Sequence, residues 1–359
     1  MSRRILVTGG SGYFGSVLVR QAAARGDTVR VLDLNEPDTQ GPDVECLAGD
    51  VRDRTIVKRA CRDVDVVFHN VAQVPIARDR ELFWSVNVLG TANVLAAARS
   101  CGVAKVVHTS SSAVYGIPER NPVDEETPPR PVEPYGRAKT EAEALCGEAA
   151  GSGLDVTIVR PRTVLGHGRL GIIAVLFELV ADGAPVFVLG DGSNRYQFVH
   201  ADDLAAACLA AGDRTGATSY NVGAAEFGTM RDTLSTLVEY ADTGSRVRSL
   251  PMAPAKLAMR GLSALGLAPF APYHWLVYGE SLHFDITKAR AELDWSPRHS
   301  NASMLIESYE WFLEHRGEIG MQRRSHHQSP VRLGALRLLQ RLGTPREASL
   351  GSEAEDQRT

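Results

Sequence analysis

Residues 4–8, Arg-Ile-Leu-Val-Thr, form a continuous β-rich run, and Gly9-Gly-Ser-Gly12-Tyr13-Phe14-Gly15 follows at once. Val17-Leu-Val and Ala22-Ala-Ala then open a helical stretch that Gly26-Asp27 closes, and Val29-Arg-Val-Leu-Asp33 is a second strand. Strand, glycine-spaced turn, helix and strand within about thirty residues make a βαβ unit. That unit constrains the fold more than any other feature, because strands joined this way run parallel and need helices over both faces. Gly9 permits the tight turn and Gly12 lets a pyrophosphate approach the backbone. Gly15 lets helix and sheet pack closely, and the helix N-terminus faces the anion.

Apolar runs recur at 64–68, 103–109, 156–159 and 186–188, with Ala- and Leu-rich helical stretches such as 88–100 and 138–149 between several of them. The expectation is an α/β fold on a parallel sheet. A length of 359 residues suggests roughly two domains. With 44% hydrophobic and 23% charged residues the composition is that of an ordinary globular chain. A net charge of −4 argues against nucleic acid as a partner. Cys46, Cys61, Cys101, Cys146 and Cys208 are far apart, with no CxxC pair. They read as buried thiols in a reducing cytoplasm, with neither a zinc site nor a disulfide framework. No run is long enough to span a bilayer, and the N-terminus reads as a first strand rather than a signal peptide.

Three further patterns carry chemistry. Asp33 ends the second strand 18 residues past Gly15, where a carboxylate accepts from a ribose diol and repels a 2′-phosphate; this favours NAD over NADP. Tyr135-Gly-Arg-Ala-Lys139 places a phenol and an ammonium at i and i+4 on one helix face. The cation favours the phenolate and prepares Tyr135 to move a proton at a carbinol oxygen near pH 7. Thr109-Ser-Ser111-Ser112-Ala-Val-Tyr115 follows an apolar run, so its hydroxyls sit over the crevice at a strand's carboxyl end. The proline-rich stretch 117–134 between these patterns reads as a surface loop.

Together with Gly49-Asp50-Val51, His69-Asn-Val71-Ala72, Asn87-Val-Leu-Gly-Thr91, Arg160-Pro161 and Arg195-Tyr-Gln-Phe-Val-His200-Ala-Asp202-Asp203, these features resemble the extended short-chain dehydrogenase/reductase family, in its NAD-dependent epimerase/dehydratase branch. Phe284-Asp-Ile-Thr-Lys288 through Trp295-Ser-Pro297 resembles the family's closing signature. The resemblance implies a Rossmann-like doubly wound sheet (1–166 and 196–225) holding NAD. It implies a smaller C-terminal α/β substrate domain (167–195 and 226–320), and a homodimer. By position Tyr135 matches the acid/base, Lys139 its partner and Ser111 the hydroxyl that orients substrate. Gly9, Gly12, Tyr13, Phe14, Gly15, Asp33, Asp50, Val51, Val71, Ala72, Asn87, Pro161, Tyr135 and Lys139 match the cofactor contacts. Ser111, Ser112, Arg195 and Arg260 are the candidate substrate contacts, with Arg195 matching an arginine that often grips a diphosphate.

The family's 4,6-dehydratases carry Asp-Glu after the catalytic hydroxyl and its decarboxylases a Glu; Ser112 and Ala113 stand here, which ranks both reactions low. Small residues there suit an epimerase of nucleotide sugars or a plain dehydrogenase of a sterol-like alcohol. A second arginine common in members that hold UDP-sugars is replaced by Val277, with Arg260 and Lys256 as candidate substitutes. The apolar and aromatic stretch 251–278 reads as a substrate-cleft wall or as core. Residues 321–343 read as a basic amphipathic helix for self-docking, membrane-surface or partner contact, and 344–359 as a tail.

Overall fold

The computed structural model describes residues 2–35, 44–73, 80–168, 172–264 and 276–317. The basic segment 321–343 and the tail lie outside them. Strands β1 (Arg4–Thr8), β2 (Thr28–Asp33), β3 (Val44–Ala48), β4 (Val66–His69), β5 (Lys105–Thr109), β6 (Val156–Pro161) and β10 (Thr218–Val222) form one sheet, in the order β10-β6-β5-β4-β1-β2-β3. Every pairing in it is parallel. The order reverses between β1 and β4, which is where a doubly wound sheet opens a crevice at its carboxyl edge.

Alternation along the strands explains the two-sided cover. Ile5 and Val7 join a core with helices α1 (Tyr13–Ala24) and α7 (Ala201–Asp213), whereas Leu6 joins one with α2 (Arg54–Ala60), α4 (Gly90–Cys101) and α5 (Pro134–Gly151). Both strand faces are therefore buried, which is why these strands read as unbroken apolar runs. A third core lies beyond the sheet. It joins α6 (Ile172–Ala181), β8 (Val186–Leu189), α8 (Met230–Ala241) and α11 (Asn301–His315) around Phe177, Leu237, Tyr309 and Phe312. Two short parallel pairs complete the chain, β11 (Val247–Leu250) with β8 and β7 (Thr163–Leu165) with β9 (Phe198–His200).

Several boundaries differ from the sequence reading. The helix expected over 88–100 starts earlier, as α3 (Arg80–Trp84) running through a π-turn at Ser85–Leu89 into α4. The helix expected over 138–149 starts at Pro134, because Glu133 caps it. The stretch 117–134 is largely an exposed loop, as its composition suggests, but it is stitched down at Val123, which is fully buried and whose N–H and C=O pair with His283 O and Asp285 N. Polar composition hid this stitch. Of the thiols, only Cys61, Cys146 and Cys208 are buried; Cys46 is exposed on the edge strand β3 and Cys101 half-buried.

Asp203, 1% exposed, ties α7 to the segment after α10 (Thr287–Leu293). Its Oδ2 accepts from the N–H groups of Arg298 (3.0 Å) and His299 (3.1 Å), and its carbonyl accepts from Trp295 Nε1 at 2.9 Å. Replacing Asp203 by Ala leaves buried donors unpaired and is expected to cost about 2–4 kcal/mol, read as a lower urea midpoint.

Candidate active site

The glycine loop links β1 to α1. Gly9 has φ +74°, and its N–H donates to Leu32 O at 2.9 Å. A Cβ on Gly15 would lie 1.9 Å from Gly9 O, so no side chain fits there. No side chain caps α1 and no acidic residue lies in its first turn, which suits a bound anion. Asp33 ends β2 with Oδ2 accepting from Ser11 N at 3.1 Å and Oδ1 from Asn35 N at 3.1 Å. The carboxylate thus sits beside the loop with lone pairs to spare for a diol. An open glycine cradle, an uncapped helix start and a strand-end carboxylate fit a dinucleotide.

The remaining cofactor candidates frame this loop. Val71 packs against Gly9, and Ala72 continues from it. Val51 is buried under Gly90, whose missing side chain makes the room. Asp50 chelates Arg52, which holds its carboxyl below the usual range. Asn87, buried in the π-turn, accepts from Gln73 N and donates to Gln73 O, fixing the segment after β4. Tyr13 is buried against the core, Phe14 packs beside it, and Pro161 ends β6.

The proton-transfer candidates come from two elements. Ser111 caps a 3-10 turn at Ser112–Tyr115, its Oγ accepting from Ala113 N at 3.1 Å. Tyr135 lies in the first turn of α5. Its N–H donates to Glu133 Oε2 at 2.7 Å, and Gly136 N donates to Oε1 at 2.6 Å. A Cβ on Gly136 would lie 2.5 Å from Ala113 O, so glycine is what lets the Tyr135 helix meet the Ser111 turn. Glu133 and Gly136 were missed by the sequence reading. The cap pattern Glu-Pro-Tyr-Gly was available as a signal.

Lys139 is 1% exposed, and its Nζ donates to Thr109 O at 2.9 Å. Burial pulls its pKa down to about 8, against the pull of Cys146 and Glu143. Nearby His69 is pushed down to about 3, chiefly by burial and then by Lys139, and His108 falls well below its ordinary value for the same reasons. One turn on, Glu143 takes Arg160 in a two-pronged pair (2.9 and 2.8 Å) and accepts from Ser110 Oγ.

The substrate-side candidates separate. Arg195 is exposed, its guanidinium 4.9 Å from the Phe227 ring centroid. Ser112 is buried and accepts from Arg162 Nη1 at 2.8 Å, which places it in an internal network. Arg260 is exposed on α9 (Met252–Ala264), and among the described residues no hydrogen bond or ion pair joins it to the site. Lys256 pairs with Glu280 at 2.8 Å, so it is not a spare cation to replace the arginine absent at Val277. Of the stretch 251–278, Leu257 is 70% exposed and Val277 buried, while 265–275 lie outside the described residues.

Known proteins resemble this chain in sequence and in fold. Residues 5–223 match the model of the NAD dependent epimerase/dehydratase family. The chain belongs to that family. It is 52% identical over 335 residues to the uncharacterized protein y4nG of Sinorhizobium fredii (strain NBRC 101917 / NGR234), covering 93% of this chain and 85% of the relative. It is 31% identical over 330 residues to a UDP-glucose 4-epimerase of Mycolicibacterium smegmatis (strain ATCC 700084 / mc(2)155), covering 86% and 98%. MoeE5, solved with UDP-glucose and NAD, superposes with a TM-score of 0.71 at 26% identity, covering 87% of this chain and 99% of MoeE5. Among the described residues no helix is long and apolar enough to cross a membrane.

Two measurements probe this family site. Gly136→Ala drives α5 from Ala113 O; the expected result is about 1–3 kcal/mol lower stability, with turnover down by about 100-fold. Lys139→Met removes a buried cation. The folded wild type releases the Lys139 proton near pH 8 and the unfolded chain near pH 10.5. Wild-type stability relative to the variant is therefore expected to rise by about 3 kcal/mol between those pH values, read by urea titrations across the window.

Proposed function

We propose that this protein is an NAD-dependent oxidoreductase/epimerase acting on a secondary hydroxyl of a nucleotide-activated sugar. The observation that carries the reading is the seam between α5 and the Ser111 turn, with the Lys139 ammonium buried beneath it. Tyr135, as phenolate, takes the substrate hydroxyl proton, and Ser111 donates to the same oxygen. Lys139 supports the negative phenol from below, held in place by Thr109 O. The glycine loop and Asp33 would hold NAD, which would supply the hydride acceptor for the carbinol carbon and, in an epimerase, the hydride donor to the ketone's other face. Glu133 fixes the start of α5, so that Tyr135 meets the substrate in one orientation.

The relatives' 4-epimerase and UDP-glucose descriptions support the nucleotide sugar. A second reading, an NAD(P)-dependent dehydrogenase of an apolar 3β-hydroxysteroid-type or other secondary alcohol, draws on a different observation. Val277 is buried where an arginine often sits, and Lys256 is committed to Glu280. Incubation with NAD and UDP-glucose or UDP-galactose separates the two. An epimerase interconverts the sugars without accumulating NADH, whereas a dehydrogenase accumulates NADH on an alcohol substrate. In either case Tyr135→Phe is expected to lower turnover by about 100- to 10,000-fold. Full activity in that variant would overturn the acid/base assignment.

A further inference from the structure

Arg160 lies in β6 and Arg162 in the one-residue link from β6 to β7, and the fold treats them differently. Arg160 meets the Glu143 carboxylate with two of its nitrogens. Arg162 is more deeply buried, at 1% exposure against 8% for Arg160, yet meets no carboxylate among the described residues. Its Nη1 donates to Ser112 Oγ at 2.8 Å, while Nε and Nη2 have no hydrogen-bond partner among the described residues. The guanidinium carbon lies 4.7 Å from the Tyr196 ring centroid and 5.7 Å from that of Phe284. A guanidinium does not neutralise itself by losing a proton, and an unpaired buried charge is costly.

We propose that Arg162 is the recognition site for a carboxylate on the substrate, close to the hydroxyl that reacts. Nε and Nη2 form the side-on edge of the guanidinium, the edge that takes a carboxylate through two parallel bonds. Flat rings beside the guanidinium hold that edge in one orientation. Ser112, which holds Nη1, follows Ser111 in sequence, which puts the unpaired and solvent-inaccessible edge beside the turn that carries the proposed substrate hydroxyl contact. A diphosphate is separated from that carbinol by the sugar ring, and exposed Arg195 is the better placed cation for it. Arg162 is thereby a specificity residue for acidic substrates. The inference rests on Ser111 and Tyr135 as the reaction centre.

Equilibrium binding to the NAD-loaded protein tests it without requiring turnover, so its failure is distinct from a failure of the Tyr135 assignment. UDP-glucuronic acid and UDP-glucose share the diphosphate and differ by one carboxylate. The wild type is expected to bind the acid at least tenfold more tightly, and Arg162→Met to lose that preference while keeping its affinity for UDP-glucose. Arg162→Lys, which keeps the charge and lacks the fork, is expected to lose most of it. Equal loss for both sugars would assign Arg162 to the diphosphate and overturn the proposal, as would a wild type that binds both equally. Thermal melting without sugar supplies a second measure. Arg162→Met is expected to melt above the wild type, because it removes an uncompensated charge; melting below it would make Arg162 a structural residue and overturn the proposal. If neither sugar binds, the melting order decides.

Discussion

A buried ammonium must find an oxygen, and Lys139 finds the carbonyl of Thr109 at the end of β5. That bond, with the Glu143 contacts to Arg160 and Ser110 one turn on, joins α5 to the carboxyl edge of the sheet. The edge is where the glycine loop, Asp33 and the Ser111 turn already converge, because every strand of the sheet runs the same way. The helix that carries Tyr135 is therefore registered against the nucleotide crevice by an electrostatic requirement, and Gly136 removes the one Cβ that would hold it off. Glu133 then fixes where the helix begins.

The same neighbourhood shows how the fold distributes buried charge. His69 and His108, close to Lys139, are held neutral by burial, which leaves the ammonium as the local cation. Arg160 and Glu143 cancel one another behind it, and Ser110 and Tyr115 add hydrogen bonds to that pair. Such pairs contribute little net stability, since desolvation offsets their attraction, but breaking one exposes an unmatched charge. Against this pattern Arg162 stands out as the buried cation left with open donors.

Much of this was legible in the residues. The glycine spacing, the strand-end Asp33 and the i, i+4 pair Tyr135 and Lys139 are local patterns with local physical causes: Gly9 takes a positive φ, Asp33 ends β2, and Tyr135 and Lys139 share α5. Element ends were less legible. The start of α5 depends on Glu133 folding back onto two N–H groups, and the π-turn at Ser85–Leu89 accompanies an Asn87 amide reaching Gln73. Neither leaves an apolar period to read. The polar composition of 117–134 gives no sign that Val123 bridges to Phe284, with Asn121 and Glu125 adding bonds to His283 N and Asn221 N.

The sequence by itself determined the parallel α/β plan and the glycine loop, and it set Tyr135 and Lys139 on one helix face, because each follows from spacing along a strand or a helix. Only the tertiary structure decided which charges are compensated. Lys256 meets Glu280, Ser112 turns out to serve Arg162, and Arg160 and Arg162, two residues apart, meet opposite fates. Counter-ions are brought together from distant parts of the chain, so no local pattern records which side chain will be left without one.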